Sequence, residues 1–143
     1  MEIVIAVIVG VVIWYVLKAK NAVNKTSANP ALSNTSYSYS IVGEQSYQNN
    51  LKKIAGPKEE ESKFFECYAE VSSEPFNQYD KNAVKVEING LLVGYLSKGE
   101  AAKLAGKVIN KTVPAVIDGG WFDADSEGSY GVKLAINNIN DLI

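Results

Sequence analysis

Apolar residues follow three different patterns along this chain. From Ile3 to Leu17 they form an unbroken run with no polar position that would define one face of a helix. A stretch rich in Ser, Asn and Thr follows, without apolar periodicity. From Tyr39 onward, apolar and polar positions alternate with the periods of strands and helices. These patterns predict an N-terminal helix in residues 1–20, a flexible linker in residues 21–38 and a folded domain in residues 39–143.

The apolar run is typical of a single-pass membrane anchor. Its fifteen residues span about 22 Å as an α-helix, somewhat short of a hydrocarbon core of about 30 Å. Trp14 and Tyr15 suit the membrane interface, and Lys18 can snorkel to it, which extends the span. Because the nearby lysines follow the run, the positive-inside rule predicts a cytoplasmic C-terminal domain. The alternatives are a buried helix of the soluble domain, disfavoured because no face is polar, and a pilin-like helix, for which no prepilin cleavage motif is present.

Beyond the linker, the pattern predicts a mainly β, α+β domain. Asn89-Gly90, between two apolar runs, is the signal of a type I′ hairpin. About six strands with antiparallel neighbours, together with two short helices, close most naturally into a small, partly open β-barrel. The predicted strands are Tyr39–Gly43, Phe64–Ser72, Val84–Ile88, Leu91–Leu96, Val113–Ile117 and Tyr130–Ile136.

Two short helices are predicted between the strands. The first covers Gln48–Ile54 and is stopped by Gly56-Pro57. The second covers Gly99–Asn110 and begins with a predicted capping box between Ser97 and Glu100. Its apolar side is formed by Ala101, Leu104, Ala105, Val108 and Ile109.

An acidic loop is predicted at Trp121–Gly128, after a strand that ends at Asp118-Gly119-Gly120. Its carboxylates are not spaced as in an EF-hand loop, so we expect a solvated loop rather than a Ca²⁺ site. Trp121 has two interpretations. It is a stacking platform presented by the glycine pair, or it is a core residue, which is the commoner case for a lone tryptophan. The carboxylates considered are Asp118, Asp123, Asp125 and Glu127.

Composition excludes several classes of chemistry. The chain has no histidine and one cysteine, Cys67, so Ser-His and Cys-His catalysis, an intramolecular disulfide and a structural zinc site are excluded. We expect Cys67 to be a small core or surface residue of its strand. All fourteen basic residues are lysines, so no guanidinium can clamp a phosphate. With no visible nucleophile–base set, we expect a non-enzymatic protein without metal or cofactor.

The densest set of polar and aromatic side chains lies between Glu74 and Val84, at the mouth of a predicted strand. Such a run is typical of a recognition loop held on a rigid sheet. Tyr79 and Asp80 have a simpler interpretation as well, because an aspartate commonly holds a turn by accepting backbone N–H bonds. We expect Asn82 to be structural, with its side chain bonded to the loop backbone and the following Ala and Val entering the core.

Four stretches between Ile41 and Ile136 match the pattern of a known family. They are Ile41-Val42-Gly43 with Tyr47, Glu74-Pro75-x-Asn77-x-Tyr79-Asp80-x-Asn82-Ala83-Val84, Val93-Gly94-Tyr95-Leu96 with Ala101 and Ala102, and Gly131-Val132-x-Leu134. The second stretch is the specific one. Together they resemble the HIRAN domain, a modified OB-like barrel found in helicase-like DNA-repair remodellers and as a small stand-alone module in bacteria.

The resemblance implies a domain that grips the 3′ end of single-stranded DNA. Asp80 would accept a hydrogen bond from the terminal 3′-hydroxyl, Tyr79 would stack on a base, and Asn77 would help to shape the pocket. Tyr47 matches an aromatic residue that lines the site, and Lys98 falls where a lysine lies near phosphate. The chemistry agrees in kind, because a carboxylate accepts from a hydroxyl but repels a phosphate, and stacking on a base contributes about 1–3 kcal/mol.

Charge and two substitutions separate this chain from the remodellers. Gln45 and Ser46 stand where the remodellers carry an arginine and a second aromatic residue. From Ile41 onward the domain has eleven lysines against fifteen carboxylates, a net charge of −4, so DNA binding should be weak unless the lysines cluster. The lysines that could form one patch are Lys52, Lys53, Lys81, Lys85, Lys98, Lys103 and Lys107.

Two functions follow as expectations. The first is a membrane-tethered, non-catalytic module that recognises single-stranded DNA at its 3′ end, near the cytoplasmic face of the membrane. The alternative is a protein-interaction module that presents the same loop to a partner and localises that partner to the membrane. The acidic balance and the missing arginines favour the alternative.

Overall fold

The computed structural model describes residues 35–143, and six strands dominate this part of the chain. The strands are β1 (Tyr39–Ser40), β2 (Lys63–Ser73), β3 (Val84–Ile88), β4 (Leu91–Tyr95), β5 (Asn110–Phe122) and β6 (Glu127–Leu134). All neighbours are antiparallel, in the order β1-β6-β5-β2-β3-β4. The sheet curls into a half-barrel, which confirms the prediction of a mainly β domain of about six strands.

The two ends of the curled sheet meet at a single bridge. Val42, two residues after β1, exchanges two backbone hydrogen bonds with Tyr95 of β4: Val42 N–H to Tyr95 O at 2.8 Å, and Tyr95 N–H to Val42 O at 2.9 Å. Gly94 makes this approach possible, because a Cβ there would lie 2.6 Å from the Val42 carbonyl oxygen. The closure therefore depends on a glycine at this one position of β4.

The alternation along the strands explains which face is buried. In β3, Val84, Val86 and Ile88 are buried, while Lys85 and Glu87 lie on the other face and form an ion pair at 2.8 Å. The β3–β4 turn has positive φ at both central residues, 52° at Asn89 and 76° at Gly90, which confirms the predicted type I′ hairpin. Burying alternate side chains on one side lets the curled sheet enclose its own core.

The first helix was predicted correctly. A 3₁₀ turn, Glu44–Tyr47, leads into α1 (Gln48–Ala55), and Gly56, with φ of 92°, ends it. Leu51 is fully buried and anchors the helix on the core. Local signals were sufficient here because the apolar spacing and the stop signal agree.

The second helix is much shorter than predicted. Helix α2 covers only Lys98–Lys103, and Gly106, with φ of 81°, lies in the turn that follows. Ala101, Leu104 and Ile109 of the predicted apolar side are buried, but Val108 is 92% exposed and Ala105 is also exposed, so the prediction of one helix over Gly99–Asn110 is wrong. Tertiary pairing overrides the helical period, because β5 begins at Asn110 opposite β2.

The predicted capping box of α2 is only half formed. The Ser97 hydroxyl accepts from the Glu100 N–H at 3.3 Å, as expected of an N-cap. The Glu100 carboxylate does not return to the backbone of Ser97. It accepts instead from Lys103 at 3.0 Å and from the Tyr39 hydroxyl at 3.3 Å, and these partners lower its pKa.

The hairpin of β5 and β6 is longer than predicted. β5 does not end at Gly119-Gly120 but continues to Phe122, whose N–H donates to the Glu59 carbonyl at 2.8 Å. Both glycines have positive φ, 66° and 63°, and a Cβ at Gly119 would overlap the Ser129 carbonyl oxygen. Glycine therefore allows close strand contact here, instead of terminating the strand.

The acidic loop shrinks to residues 123–126. Asp123 accepts from the N–H groups of Asp125 and Ser126, both at 2.8 Å, and these backbone bonds lower its pKa. It is thus a turn former. Within residues 35–143, no group of three or more acidic or cysteine side chains could hold a metal ion. Trp121 is half-buried and packs on Gly128, whose Cβ would overlap the indole ring.

Cys67 lies on β2, partly buried against the core. Burial is the main cause that raises the pKa of its thiol to about 12, and the nearby negative charge of Glu66 is a smaller cause. This agrees with the expected packing role.

The predicted anchor, Ile3–Leu17, and the linker up to residue 34 lie outside the part of the chain that the structure describes. Among residues 35–143, no helix is long and apolar enough to span a membrane. Tyr37, which falls in the predicted linker, lies against β2: its ring meets Phe64 edge-on at 5.9 Å, and its hydroxyl donates to Glu66 at 2.6 Å.

Candidate functional site

A cleft of about 780 Å³ opens beside the loop between β2 and β3. Its other walls are the end of the Glu44–Tyr47 turn, the end of β4 and the start of α2. The structure brings all five residues singled out from the sequence to this cleft: Tyr47, Asn77, Tyr79, Asp80 and Lys98. It does not bring Trp121 there.

Asn77 organises the loop. Its Oδ1 accepts from the N–H groups of Tyr79 at 2.9 Å and of Asp80 at 3.0 Å. Its Nδ2 donates to Glu74 Oε1 at 2.6 Å. At the base of the loop, the Glu74 N–H donates to the Ala83 carbonyl at 2.8 Å. One amide side chain therefore fixes the backbone of the two residues that face the cleft.

Asp80 holds a turn and also keeps one oxygen available. Its Oδ1 accepts from the Asn82 N–H at 2.9 Å, as in an Asx turn. Its other carboxylate oxygen has no hydrogen-bond partner among residues 35–143. The expectation that the Asn82 side chain bonds the loop backbone is wrong: in the described chain its amide has no hydrogen-bond partner, and its main-chain N–H donates to the carboxylate of Asp80. Val84 enters the core as expected, whereas Ala83 is only half-buried.

Four aromatic rings line the cleft and differ in exposure. Tyr79 is 88% exposed and Phe76 is 97% exposed, so both rings project from the loop. The rings of Tyr47 and Tyr95, which are half-buried, are 6.5 Å apart and inclined at 49°. An exposed ring on a loop that is held by its own backbone bonds is a suitable surface for stacking a flat ligand.

Glu74 and Tyr95 were not singled out as site residues from the sequence. The Tyr95 hydroxyl donates to Glu74 Oε1 at 3.2 Å, the same oxygen that accepts from Asn77. Burial raises the pKa of Tyr95 to about 12, and the negative charge of Glu74 adds to the effect. The sequence signal that could have indicated Glu74 is its position three residues before Asn77 in a turn. For Tyr95, the signal is its position directly after Gly94.

The cleft is not basic. Among residues 35–143, Lys98 is the one lysine that lines it, together with two carboxylates, Glu74 and Asp80. The seven lysines do not form one patch. Lys85 is paired with Glu87 and Lys103 with Glu100, while Lys81 and Lys107 line a separate groove.

Comparison of the chain with protein families, with curated proteins and with solved structures found no match. The side chains that line the cleft indicate what it can bind. It offers a carboxylate oxygen that can accept a hydrogen bond, exposed rings that can stack, and one ammonium group. A small, flat ligand with a hydroxyl group and little negative charge fits these features.

Proposed function

We propose that this chain is a membrane-tethered HIRAN-type module with an OB-like barrel, and that it binds the 3′ end of single-stranded DNA without catalysing a reaction. The observation that carries the proposal is the convergence of Tyr47, Asn77, Tyr79, Asp80 and Lys98 on one cleft. These residues come from three separate parts of the sequence. If the loop served only as a turn, nothing would require Tyr47 and Lys98 to line the same cleft.

The chemistry of a 3′ terminus matches the cleft. The unpartnered oxygen of Asp80 accepts from a 3′-hydroxyl and repels a 3′-phosphate. The ring of Tyr79 stacks on the terminal base at about 1–3 kcal/mol, whichever base it is. Lys98 pairs with one nearby phosphate. A terminal nucleotide needs little more charge than this, which suits a domain of net charge −4.

The test is a titration of the full chain, in detergent, with short oligonucleotides labelled at the 5′ end and ending in a 3′-hydroxyl or a 3′-phosphate. The 3′-hydroxyl form should bind at least about tenfold more tightly, a difference of about 1.4 kcal/mol. Asp80→Asn keeps an acceptor for the Asn82 N–H but removes the charge, so the two ligands should bind more nearly alike.

Tyr79→Ala should weaken both ligands by at least about fivefold, since stacking is independent of the terminus. Phe122→Ala is the matched control, because this ring is 49% exposed and lies outside the cleft. Equal affinity of the wild-type chain for both termini, or no binding of either, would refute end recognition.

The tether is tested separately. The run Ile3–Leu17 should hold the protein in the membrane fraction after alkaline carbonate washing, and deletion of residues 1–34 should release it. Protease added to spheroplasts should leave the C-terminal domain intact if that domain is cytoplasmic.

A second candidate is a protein-interaction module that localises its partner to the cytoplasmic membrane face. The charge of the cleft favours it, since two carboxylates and one lysine line it, and so does Phe76, which is 97% exposed. A partner with basic and apolar side chains would fit. A complex that survives nuclease and high salt but is lost in Phe76→Ala, and not in Phe122→Ala, would favour this function over DNA binding.

A further inference from the structure

The loop between β2 and β3 separates two clefts. Next to the candidate site lies a groove of about 1,040 Å³, which we call the basic groove. Pro75, Lys81 and Asn82 of the loop form one wall, and residues 104–110 form the other. Ala83 lines both the cleft and the groove, so the two adjoin across the loop.

The charge of the basic groove is opposite to that of the cleft. Lys81 and Lys107 line it, and no aspartate or glutamate of the described chain does. Both lysines are exposed, and neither has an ion-pair partner among residues 35–143. The paired lysines Lys85 and Lys103 lie outside it. Two uncompensated ammonium groups in one groove favour an anion with spaced charges.

The groove is also lined by side chains that can donate hydrogen bonds. Asn82 and Asn110 carry amides with no hydrogen-bond partner in the described chain, and Ser72 adds a hydroxyl. Phosphodiester oxygens accept from amides, hydroxyls and ammonium groups alike. The lining also has an apolar part, which includes Leu104 and Val108 and against which the sugar rings can pack.

We infer that the basic groove binds the phosphate backbone of the single-stranded DNA whose 3′ end occupies the cleft. This inference rests on the proposed function and extends it, because the bound DNA crosses the loop between β2 and β3. The terminal nucleotide then meets the carboxylate of Asp80, while phosphates further from the end meet Lys81 and Lys107. An acidic domain can thus bind a nucleic acid, because its lysines contact the phosphates and a carboxylate contacts the uncharged 3′-hydroxyl.

The experiment compares oligothymidylates of two and eight nucleotides, both with a 3′-hydroxyl, binding to the full chain at several salt concentrations. The longer strand should bind more tightly to the wild-type chain. The double variant Lys81→Gln/Lys107→Gln should lose about fivefold to tenfold of affinity for it and leave the dinucleotide almost unaffected. The negative slope of log affinity against log salt should become shallower by about 1.4, since each phosphate contact on single-stranded DNA contributes about −0.7.

The matched control is Lys52→Gln/Lys53→Gln, which makes the same change of charge on α1, outside the groove and the cleft. It should keep both the length preference and most of the salt slope. Lys107→Gln alone, which is distant in sequence from Asp80, should show about half of the slope change. Circular dichroism should show all variants folded, because the substituted side chains are exposed.

The outcomes separate the two proposals. If Lys81→Gln/Lys107→Gln behaves like Lys52→Gln/Lys53→Gln while the 3′-hydroxyl is still preferred over the 3′-phosphate, the inference about the basic groove is wrong and recognition of the 3′ end stands. If no oligonucleotide binds the wild-type chain, both are wrong.

Discussion

Replacing Asn77 with aspartate tests whether one amide holds the recognition loop. The change alters a single group: the Nδ2 that donates to Glu74 Oε1 at 2.6 Å becomes an oxygen. The other side-chain oxygen can still accept from the N–H groups of Tyr79 and Asp80. The variant therefore keeps the shape of the loop and replaces one hydrogen bond with two opposed carboxylates.

The expected loss of stability follows from that contact. Two carboxylates at this distance cannot both be ionised in a half-buried loop, so one retains a proton. Keeping a carboxyl of ordinary pKa, about 4, protonated at pH 7 costs about 4 kcal/mol, which is an upper bound because the loop can open towards solvent. We expect Asn77→Asp to lower the free energy of unfolding by about 2–4 kcal/mol at neutral pH. The melting temperature should fall by about 10–20 °C.

The pH dependence has a definite sign. The folded variant holds a carboxyl pKa above the value of the unfolded chain, so the folded state binds more protons than the unfolded state. Its stability should therefore rise, relative to the wild-type chain, as the pH falls from 7 towards about 4. Urea titrations monitored by circular dichroism at several pH values measure this difference directly.

The double variant Glu74→Gln/Asn77→Asp provides the rescue. It exchanges donor and acceptor, so an amide again faces a carboxylate, and the Tyr95 hydroxyl still finds an oxygen to which it can donate. We expect its stability to return to within about 1 kcal/mol of the wild-type value, without the pH dependence. A single variant that is equally destabilised at pH 4 and pH 7, or a double variant that recovers nothing, would refute the role assigned to Asn77.

Three further predictions concern barrel closure and two partly buried titratable groups. Gly94→Ala should lower the free energy of unfolding by about 2 kcal/mol or more in urea titrations, since the Cβ would lie 2.6 Å from the Val42 oxygen, whereas Gly99→Ala, with nothing within 4 Å, should be neutral or stabilising. Cys67, whose thiol pKa is raised to about 12, should react with a thiol reagent near pH 8 at least about tenfold more slowly in the native than in the unfolded chain; equal rates would contradict its burial. Because the pKa of Tyr95 rises from 10.0 to about 12, stability that is present below pH 10 should be lost as the pH rises towards 12, and Tyr95→Phe should make that loss shallower by one proton; an unchanged slope would count against it.

Where a local signal was complete, the sequence predicted the element correctly. Val84–Ile88 alternates strictly, Asn89-Gly90 supplies the positive φ values of its turn, and α1 has both apolar spacing and a glycine stop. The recognition loop could also be predicted from neighbouring residues, because the side-chain hydrogen bonds of Asn77 and Asp80 span only two or three positions.

The errors fall where distant strands decide the backbone. The helix predicted at Gly99–Asn110 ends at Lys103, and β5 passes through Gly119-Gly120, since β2 pairs with β5 from Lys63 opposite Gly119 to Ser72 opposite Asn110. A ladder of this length satisfies more backbone groups than the local helical or turn preference could.

The sequence by itself determined the loop, the hairpin and the balance of charge, because each depends on neighbouring residues or on composition. Only the tertiary structure decided that Tyr47, Tyr79 and Lys98 share one cleft, and that Lys81 and Lys107 line the adjoining groove. The physical reason is that the sheet curls until its two ends join, and this closure brings together segments that no sequence period relates.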